Sequence, residues 1–202
     1  MKGRLVRHAR ESIRAQLADS ARTIAALDSQ AALLEEMASK LVETYRSGGK
    51  LLTFGNGGSS CDAQNFADEL VGRLRRNRPP LAAVALTVSQ ADLTSIGNDY
   101  GFDSVFARQL EAHARPGDAA VGISTSGNSP NVLKALETAG TLGLWRVGLT
   151  GQSGGKMKSL CDQCLCVPSP IVARIQEVHI TVIQILCDLV EESLFPDAPK
   201  AH

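Results

Sequence analysis

The sequence predicts an α/β fold, a doubly wound parallel five-stranded sheet with extra N-terminal helices. Five short apolar runs follow residue 49, each ending in Gly, Ser, Thr or Pro, and helical stretches separate most of them. Short, fully apolar strands that alternate with helices are typical of a parallel sheet covered on both faces. The first 47 residues instead keep a helical periodicity rich in Ala, Leu, Glu and Arg. These two observations predict the layered fold and its helical extension.

Each element has its own sequence signal. Asp28-Ser29 is the only break in the helical region, so we expect two helices there, the second capped by Ser29 and ended at Ser47-Gly48-Gly49. A last long helix is expected from about Pro170 to Ser193. The predicted strands are KLLTFG (50–55), PLAAVALT (80–87), AAVGIST (119–125), WRVGLTG (145–151) and CLCVPS (164–169). No linker or repeat interrupts them, so one domain over residues 1–202 is predicted.

Composition and charge exclude several classes of function. Lys plus Arg and Asp plus Glu both total 21, so net charge gives no general attraction to nucleic acid or membranes. No apolar run approaches the ~20 residues that span a bilayer, and the N-terminal stretch lacks the apolar core of a signal peptide. We therefore expect a cytoplasmic protein with no membrane partner and no direct nucleic-acid partner.

The five cysteines, an odd number without a signal peptide, argue against a disulfide framework. The CDQCLC cluster (161–166) contains a CxxC, but a second ligand pair at zinc-site spacing is missing. Free Cys otherwise behaves as a small hydrophobe. The sequence therefore favours Cys164 and Cys166 on one face of a short buried strand over a zinc or redox motif.

A glycine-rich segment follows the first predicted strand, at residues 54–60 (FGNGGSS). In open parallel sheets, ligands bind beyond the carboxyl ends of strands, where helix N-termini present backbone N–H groups. Glycines let a ligand approach the backbone, and Asn56 can donate a side-chain hydrogen bond. The segment is neither a Walker loop nor a GxGxxG motif, so a tight turn explains it equally well.

A hydroxyl-rich segment follows the third predicted strand, at residues 122–130 (GISTSGNSP). It holds Ser124, Thr125, Ser126 and Ser129. A helix needs one capping hydroxyl rather than four, so the cluster favours an anion site at a helix N-terminus. The segment has no Lys or Arg, so neutral donors and the helix dipole would hold a phosphate. A third segment, residues 149–155, is looser and is predicted to be a turn.

At these residues the chain resembles the SIS (sugar isomerase) domain family, and more narrowly the phosphoheptose isomerases. The matching segments, in the family's order, are GNGGSSCDAQNFADEL, NRPPLAAVAL, SIGNDYGFDSVFARQL, GDAAVGISTSGNSPNVLKA, LTGQSGGKM and RIQEVHI, between residues 55 and 180. The resemblance implies a flavodoxin- or Rossmann-like SIS fold. It also implies conversion of sedoheptulose 7-phosphate to a heptose 7-phosphate for surface polysaccharide (lipopolysaccharide heptose), and a homotetramer with sites between subunits. Residues 1–47 would contribute to that assembly.

The resemblance also assigns roles to individual residues. Glu69 would be the general base that moves a proton between adjacent carbons through an enediol. The four hydroxyl residues Ser124, Thr125, Ser126 and Ser129 would grip the phosphate. The other implied substrate contacts are Asn56, Gly57, Gly58, Asn98, Asp99 and Gln176. Without the resemblance, Glu69 reads as a surface carboxylate, since its neighbours do not settle which face of the helix it occupies.

The chain departs from the family at Asn65 and Gln184, where related isomerases commonly carry His. Those His residues, with the counterparts of Glu69 and Gln176, form a zinc site. His179 does not substitute, because an α-helix turns it about 140° away from Gln184. Amides are poor zinc ligands and cannot shuttle protons near neutral pH. We therefore predict no metal site and no tightly bound zinc, and an isomerase that is slowed or disabled, with Asp99 or water as its acid.

Two other functions stay open at this point. One is a non-catalytic adaptor similar to the DnaA-initiator-associating protein, whose partner would be a replication initiator. The stretches ESIRAQLA (11–18) and CDLVEESLFP (187–196) favour it, with Leu194 and Phe195 either as an exposed contact or packed against a neighbouring subunit. The other is a sensor that binds a sugar phosphate without turnover. Glu69 and the complete GNGGS favour the enzyme, because an adaptor needs neither.

Overall fold

The computed structural model describes residues 2–200 and confirms the α/β prediction, with helices on both faces of a five-stranded sheet. The helices are α1 (Lys2–Ala25), α2 (Ala31–Arg46), α3 (Gly58–Val71), α4 (Gln90–Tyr100), α5 (Val105–His113), α6 (Pro130–Thr141) and α7 (Val172–Leu194). The strands are β1 (Leu51–Gly55), β2 (Ala83–Ala85), β3 (Ala119–Ser124), β4 (Trp145–Gly151) and β5 (Gln163–Val167). Short 3-10 segments occupy Ala26–Gln30, Phe102–Ser104 and Gly155–Ser159.

The sheet is entirely parallel, with the strand order β2-β1-β3-β4-β5. The longest register beside β1 runs from Leu51 opposite Ala119 to Gly55 opposite Ile123. The chain leaves β1 toward β2 on one side and returns to β3 on the other. The loops after β1 and β3 therefore diverge and open a crevice at the carboxyl edge, which is where open α/β sheets bind ligands.

Two apolar layers sandwich the sheet. One layer packs α2, α3 and α7 against Val121, Ile123 and Leu149, and the other packs α5 and α6 against Leu52 and Phe54. Each fully buried side chain of this kind stabilises the fold by about 1.5–3 kcal/mol. No helix of the described chain combines the length and apolar character needed to cross a bilayer.

Four local expectations need correction. The helix after the break begins at Ala31 rather than at a Ser29 cap, and the Ser29 hydroxyl donates backward to the carbonyl of Ala26. The last helix begins at Val172, two residues late, and ends at Leu194. Leu194 and Phe195 are half-buried against the chain's own core rather than fully exposed. Cys164 and Cys166 do share a face of β5, but that face is half-buried rather than buried.

A buried ion pair fixes the end of α3 to α7. Nε of Arg78 lies 2.9 Å from Oε1 of Glu191, and both side chains are fully buried. Glu191 also accepts the backbone N–H groups of Leu74, Arg75 and Arg76. Burial raises the pKa of the Glu191 carboxyl, but these N–H groups and Arg78 outweigh it and leave the pKa below its ordinary value. The loop that follows α3 is thus bound to the far end of α7.

Candidate functional site

The hydroxyl loop between β3 and α6 turns three of its side chains toward one another. Oγ of Ser124 lies 2.9 Å from Oγ of Ser129 and 3.5 Å from Oγ of Ser126. Ser129 precedes α6, yet its hydroxyl makes no capping bond to that helix. The cluster is therefore not a helix cap, and its hydroxyls lie together at a helix N-terminus, as an anion site requires.

The end of β4 and the segment that follows it are hydrogen-bonded to the hydroxyl loop. Of residues 149–155, which were expected to turn, the first three instead end β4, and the turn follows them. The Gly151 N–H donates to the carbonyl of Thr125, and the N–H of Met157, in the 3-10 segment, donates to that of Gly127. Gly127 has φ +63°, and a Cβ there would lie 2.1 Å from the backbone oxygen of Gly154. The two loops are in direct backbone contact, so the shape of one fixes the shape of the other.

The glycine-rich loop after β1 is linked to the start of α6 by a reciprocal amide pair. Nδ2 of Asn56 donates to Oδ1 of Asn131 (2.8 Å), and Nδ2 of Asn131 donates to Oδ1 of Asn56 (2.9 Å). This leaves Asn56 its second N–H for a ligand. Asn131 is buried and was missed from the sequence, because the residue after Ser129-Pro130 reads as an ordinary first turn of a helix.

Gln176 of α7 lies against the first residue of α3. A Cβ at Gly58 would fall 2.1 Å from the Gln176 Nε2, so a larger residue there would displace the end of the Gln176 side chain. Gly57, just before the helix, has φ +55° and is a position that favours glycine for its backbone. The facing sides of α3 and α7 form a groove, called the α3–α7 groove. The structure therefore brings Asn56, Gly57, Gly58 and Gln176 to one end of this groove.

Two turns further along the groove, three polar side chains form one hydrogen-bonded cluster. Nε2 of Gln184 donates to Oε1 of Glu69 at 2.8 Å and to Oδ1 of Asn65 at 3.1 Å. Nδ2 of Asn65 points at the same Glu69 oxygen from 3.5 Å. All three side chains are half-buried. Glu69 thus faces α7, which the sequence alone did not settle.

These residues do not fit zinc. Gln184 presents N–H donors to the oxygens of Glu69 and Asn65, in the place where a metal would need lone pairs. The fourth counterpart of the family's ligand set, Gln176, contacts Gly58 instead of joining the cluster. Within residues 2–200, no three His, Cys, Asp or Glu side chains are grouped to hold a metal ion. No catalytic step is therefore assigned to a metal.

The predicted pair Asn98 and Asp99 is not brought to this groove by the chain itself. Both residues are exposed near the C-terminal end of α4, where Nδ2 of Asn98 donates to Oδ1 of Asp99 at 2.7 Å. Helix α4 packs against α5 and the adjacent 3-10 segment. Asp99 lines a separate cavity between α4 and α5, together with Arg108 and Gln109.

Asp62 of α3 and His179 of α7 are buried titratable residues on the two helices of the groove. Burial raises the pKa of Asp62, three residues before Asn65, to about 6. Burial likewise lowers the pKa of His179 to about 4, and its Nε2 lies 3.3 Å from the carbonyl oxygen of Thr150. His179 points into the core, as the helical geometry predicts, and not toward Gln184. The sequence could have indicated that Asp62 lies on the same helix face as Glu69, because it precedes Glu69 by seven residues on the same helix.

A cavity of about 260 Å³ adjoins the hydroxyl loop. It is lined by Thr125 and Ser126 of this loop, by Ser169, which precedes α7, and by Ile175, in the first turn of α7. The fourth predicted phosphate residue, Thr125, thus faces this cavity rather than the contact between Ser124 and Ser129. The arrangement offers hydroxyl donors around a space open to a small polar ligand.

The comparisons with known proteins agree with this geometry. The SIS domain family matches residues 16–151. The phosphoheptose isomerase of Trichlorobacter lovleyi is 56% identical over 160 residues, 79% of this chain and 82% of its own. That of Geobacter sp. (strain M21) is 52% identical over 186 residues, 92% of this chain and 97% of its own.

Solved structures give the same result. The phosphoheptose isomerase of Neisseria gonorrhoeae superposes with a TM-score of 0.86 at 42% identity, covering 91% of this chain and 99% of its own. That of Francisella tularensis superposes with a TM-score of 0.88 at 35% identity, covering 91% and 98%. With the fold, the loops and these relatives in agreement, the chain belongs to the SIS domain family and, within it, to the phosphoheptose isomerases.

Proposed function

We propose that this protein is a sugar-phosphate isomerase that interconverts sedoheptulose 7-phosphate and an aldoheptose 7-phosphate. The observation that carries the proposal is the convergence of Ser124, Ser126 and Ser129 at the start of α6, with none of them used as a cap. The amide pair of Asn56 and Asn131 joins that loop to the groove that holds Glu69. Relatives that are about 50% identical over most of the chain are named phosphoheptose isomerases.

The proposed chemistry is proton transfer between adjacent carbons. Glu69 removes a proton from C1 of the ketose, which gives an enediol, and returns it to C2, which gives the aldose. The proton between the two oxygens moves through water or through Asp99. The hydroxyl loop, with Thr125, holds the phosphate and so fixes the distance of the reacting carbons from the base.

We propose that the working form is a homotetramer in which a second copy completes each site. The exposure of Asn98 and Asp99 supports this, because it leaves both side chains open to a neighbouring subunit. In α1, Ile13 and Leu17 are 55% and 66% exposed, which supports a role for residues 1–47 in the assembly. We place the enzyme in the cytoplasm, where it would supply heptose for surface polysaccharide.

The test is an NMR or coupled assay of the purified protein with sedoheptulose 7-phosphate, beside thermal unfolding with the same ligand. Turnover supports the isomerase. Stabilisation without turnover supports the sensor. The absence of both turnover and stabilisation supports the adaptor. At a hundredfold excess over the dissociation constant, bound ligand stabilises by about 2.7 kcal/mol.

Two variants assign the parts of the site. Glu69→Gln is expected to lose turnover while the ligand still raises the unfolding temperature. Ser124→Ala combined with Ser129→Ala is expected to lose that ligand-induced rise. Turnover by Glu69→Gln at the wild-type rate would contradict the role of the base.

A further inference from the structure

The polarity of the amide cluster in the α3–α7 groove is fixed by its own acceptors. Nε2 of Gln184 faces Oδ1 of Asn65 and Oε1 of Glu69, both of which are acceptors. The reverse orientation of the Gln184 amide would place its oxygen against two oxygens, so the N–H groups must face them. Every hydrogen bond of the cluster therefore ends directly, or through Asn65, on one carboxylate oxygen.

The cluster leaves the two oxygens of Glu69 in different states. Oε1 accepts from Gln184 and lies within reach of Asn65, whereas Oε2 accepts no hydrogen bond from any residue that the structure describes. Hydrogen bonds to one oxygen of a carboxylate restrict its rotation, and they therefore fix the direction in which the other oxygen points. This is the arrangement that a general base needs, because proton abstraction depends first on geometry.

We propose that Gln184 and Asn65 are positioning residues for the Glu69 base and make the isomerase independent of a bound metal. This inference rests on the proposed function. The amide N–H groups hold Glu69 in the groove by two contacts from two helices. Neither amide gains or loses a proton in the reaction. Glu69 alone takes the proton from the substrate and returns it.

The test uses the full chain and two glutamine variants. Gln184→Met keeps the length of the side chain and removes its N–H donors. Gln163→Met is the matched control, at a half-buried glutamine of β5 that bonds to Glu36 and lies outside the groove. After EDTA treatment, wild type and control are expected to keep their kcat for sedoheptulose 7-phosphate. Gln184→Met is expected to lose about a hundredfold in kcat with KM unchanged, since small misplacements of a catalytic group cost that much.

A second readout does not depend on turnover. Zinc chloride is expected to leave the thermal midpoint of the wild type unchanged and to raise that of Asn65→His/Gln184→His, in which imidazoles replace the amides. An equal stabilisation of wild type and Gln184→Met by inorganic phosphate shows that the variant is folded and keeps its anion site.

The outcomes separate this inference from the proposed function. Turnover that EDTA abolishes and zinc chloride restores overturns the inference and leaves the isomerase standing. An equal zinc-induced rise in wild type and double His variant also overturns it, as does a Gln184→Met enzyme with wild-type kcat. Absence of turnover with and without zinc refutes the proposed function, and the positioning role falls with it.

Discussion

Replacing Gly127 by alanine tests whether the contact between the two loops shapes the phosphate site. Gly127 has φ +63°, and the new Cβ would lie 2.1 Å from the carbonyl oxygen of Gly154 and 2.9 Å from Oγ1 of Thr150. The first of these atoms is backbone, so it cannot swing aside as a side-chain end would. The loop after β3 must therefore move away from the loop after β4.

The magnitude follows from two separable costs. An L-residue in the left-handed region costs roughly 1–2 kcal/mol. Overpacking against fixed atoms adds about 1–3 kcal/mol. Gly143 provides a matched control, because it has φ +75° and nothing lies within 4 Å of its added Cβ. Gly143→Ala should therefore lose about 1–2 kcal/mol and Gly127→Ala about 2–5 kcal/mol of unfolding free energy.

Urea unfolding followed by circular dichroism measures the loss of unfolding free energy in each variant. The KM for sedoheptulose 7-phosphate measures the effect of each variant on the phosphate site. KM should rise in Gly127→Ala, since displaced hydroxyls no longer converge on the phosphate, and should stay unchanged in Gly143→Ala. Equal losses of stability in the two variants, or an unchanged KM in Gly127→Ala, would refute the idea that this backbone contact shapes the site.

Two further predictions concern buried charge. Glu191→Gln should lose about 3–5 kcal/mol in urea unfolding, because it leaves Arg78 buried without its partner, whereas Glu192→Gln, at an exposed carboxylate, should lose no more than about 1 kcal/mol; equal losses would contradict the buried pair. Burial lowers the pKa of His179 from 6.5 to about 4, so the unfolded chain binds the proton first as the pH falls, and stability declines below pH 6.5. Relative to His179→Gln, the wild type should lose about 2 kcal/mol in urea unfolding between pH 7 and pH 5, and parallel pH profiles would refute this.

The sheet was predictable because its signal is local. Strands buried on both faces must be apolar throughout, and Leu51–Gly55 and Ala119–Ser124 are fully buried. The start of α2 was not predictable, because the chain stays helical through the 3-10 segment and Ser29 bonds backward to Ala26. A serine at a break is a strong cap signal only where the helix truly stops.

The site was predictable in its loops and less so in its contacts. The hydroxyls of Ser124, Ser126 and Ser129 are close in sequence, so their proximity in space followed. The bond between Glu69 and Gln184 joins residues far apart in the chain, and it depends on how α3 and α7 pack. Local spacing carries no information on that register. The role of Asn131 was hidden for the same reason.

The anchorage of α3 bears on how the enzyme could move. Its first residue packs against the end of the Gln176 side chain. After its last turn, the guanidinium of Arg78 donates a hydrogen bond to the carbonyl of Glu69 at 2.8 Å and is paired with Glu191. Through Arg78, the C-terminal end of α3 is thus tied to α7. The base and its amide partner would then travel as one rigid body, and any closing over a substrate would be left to the loops at the edge of the sheet.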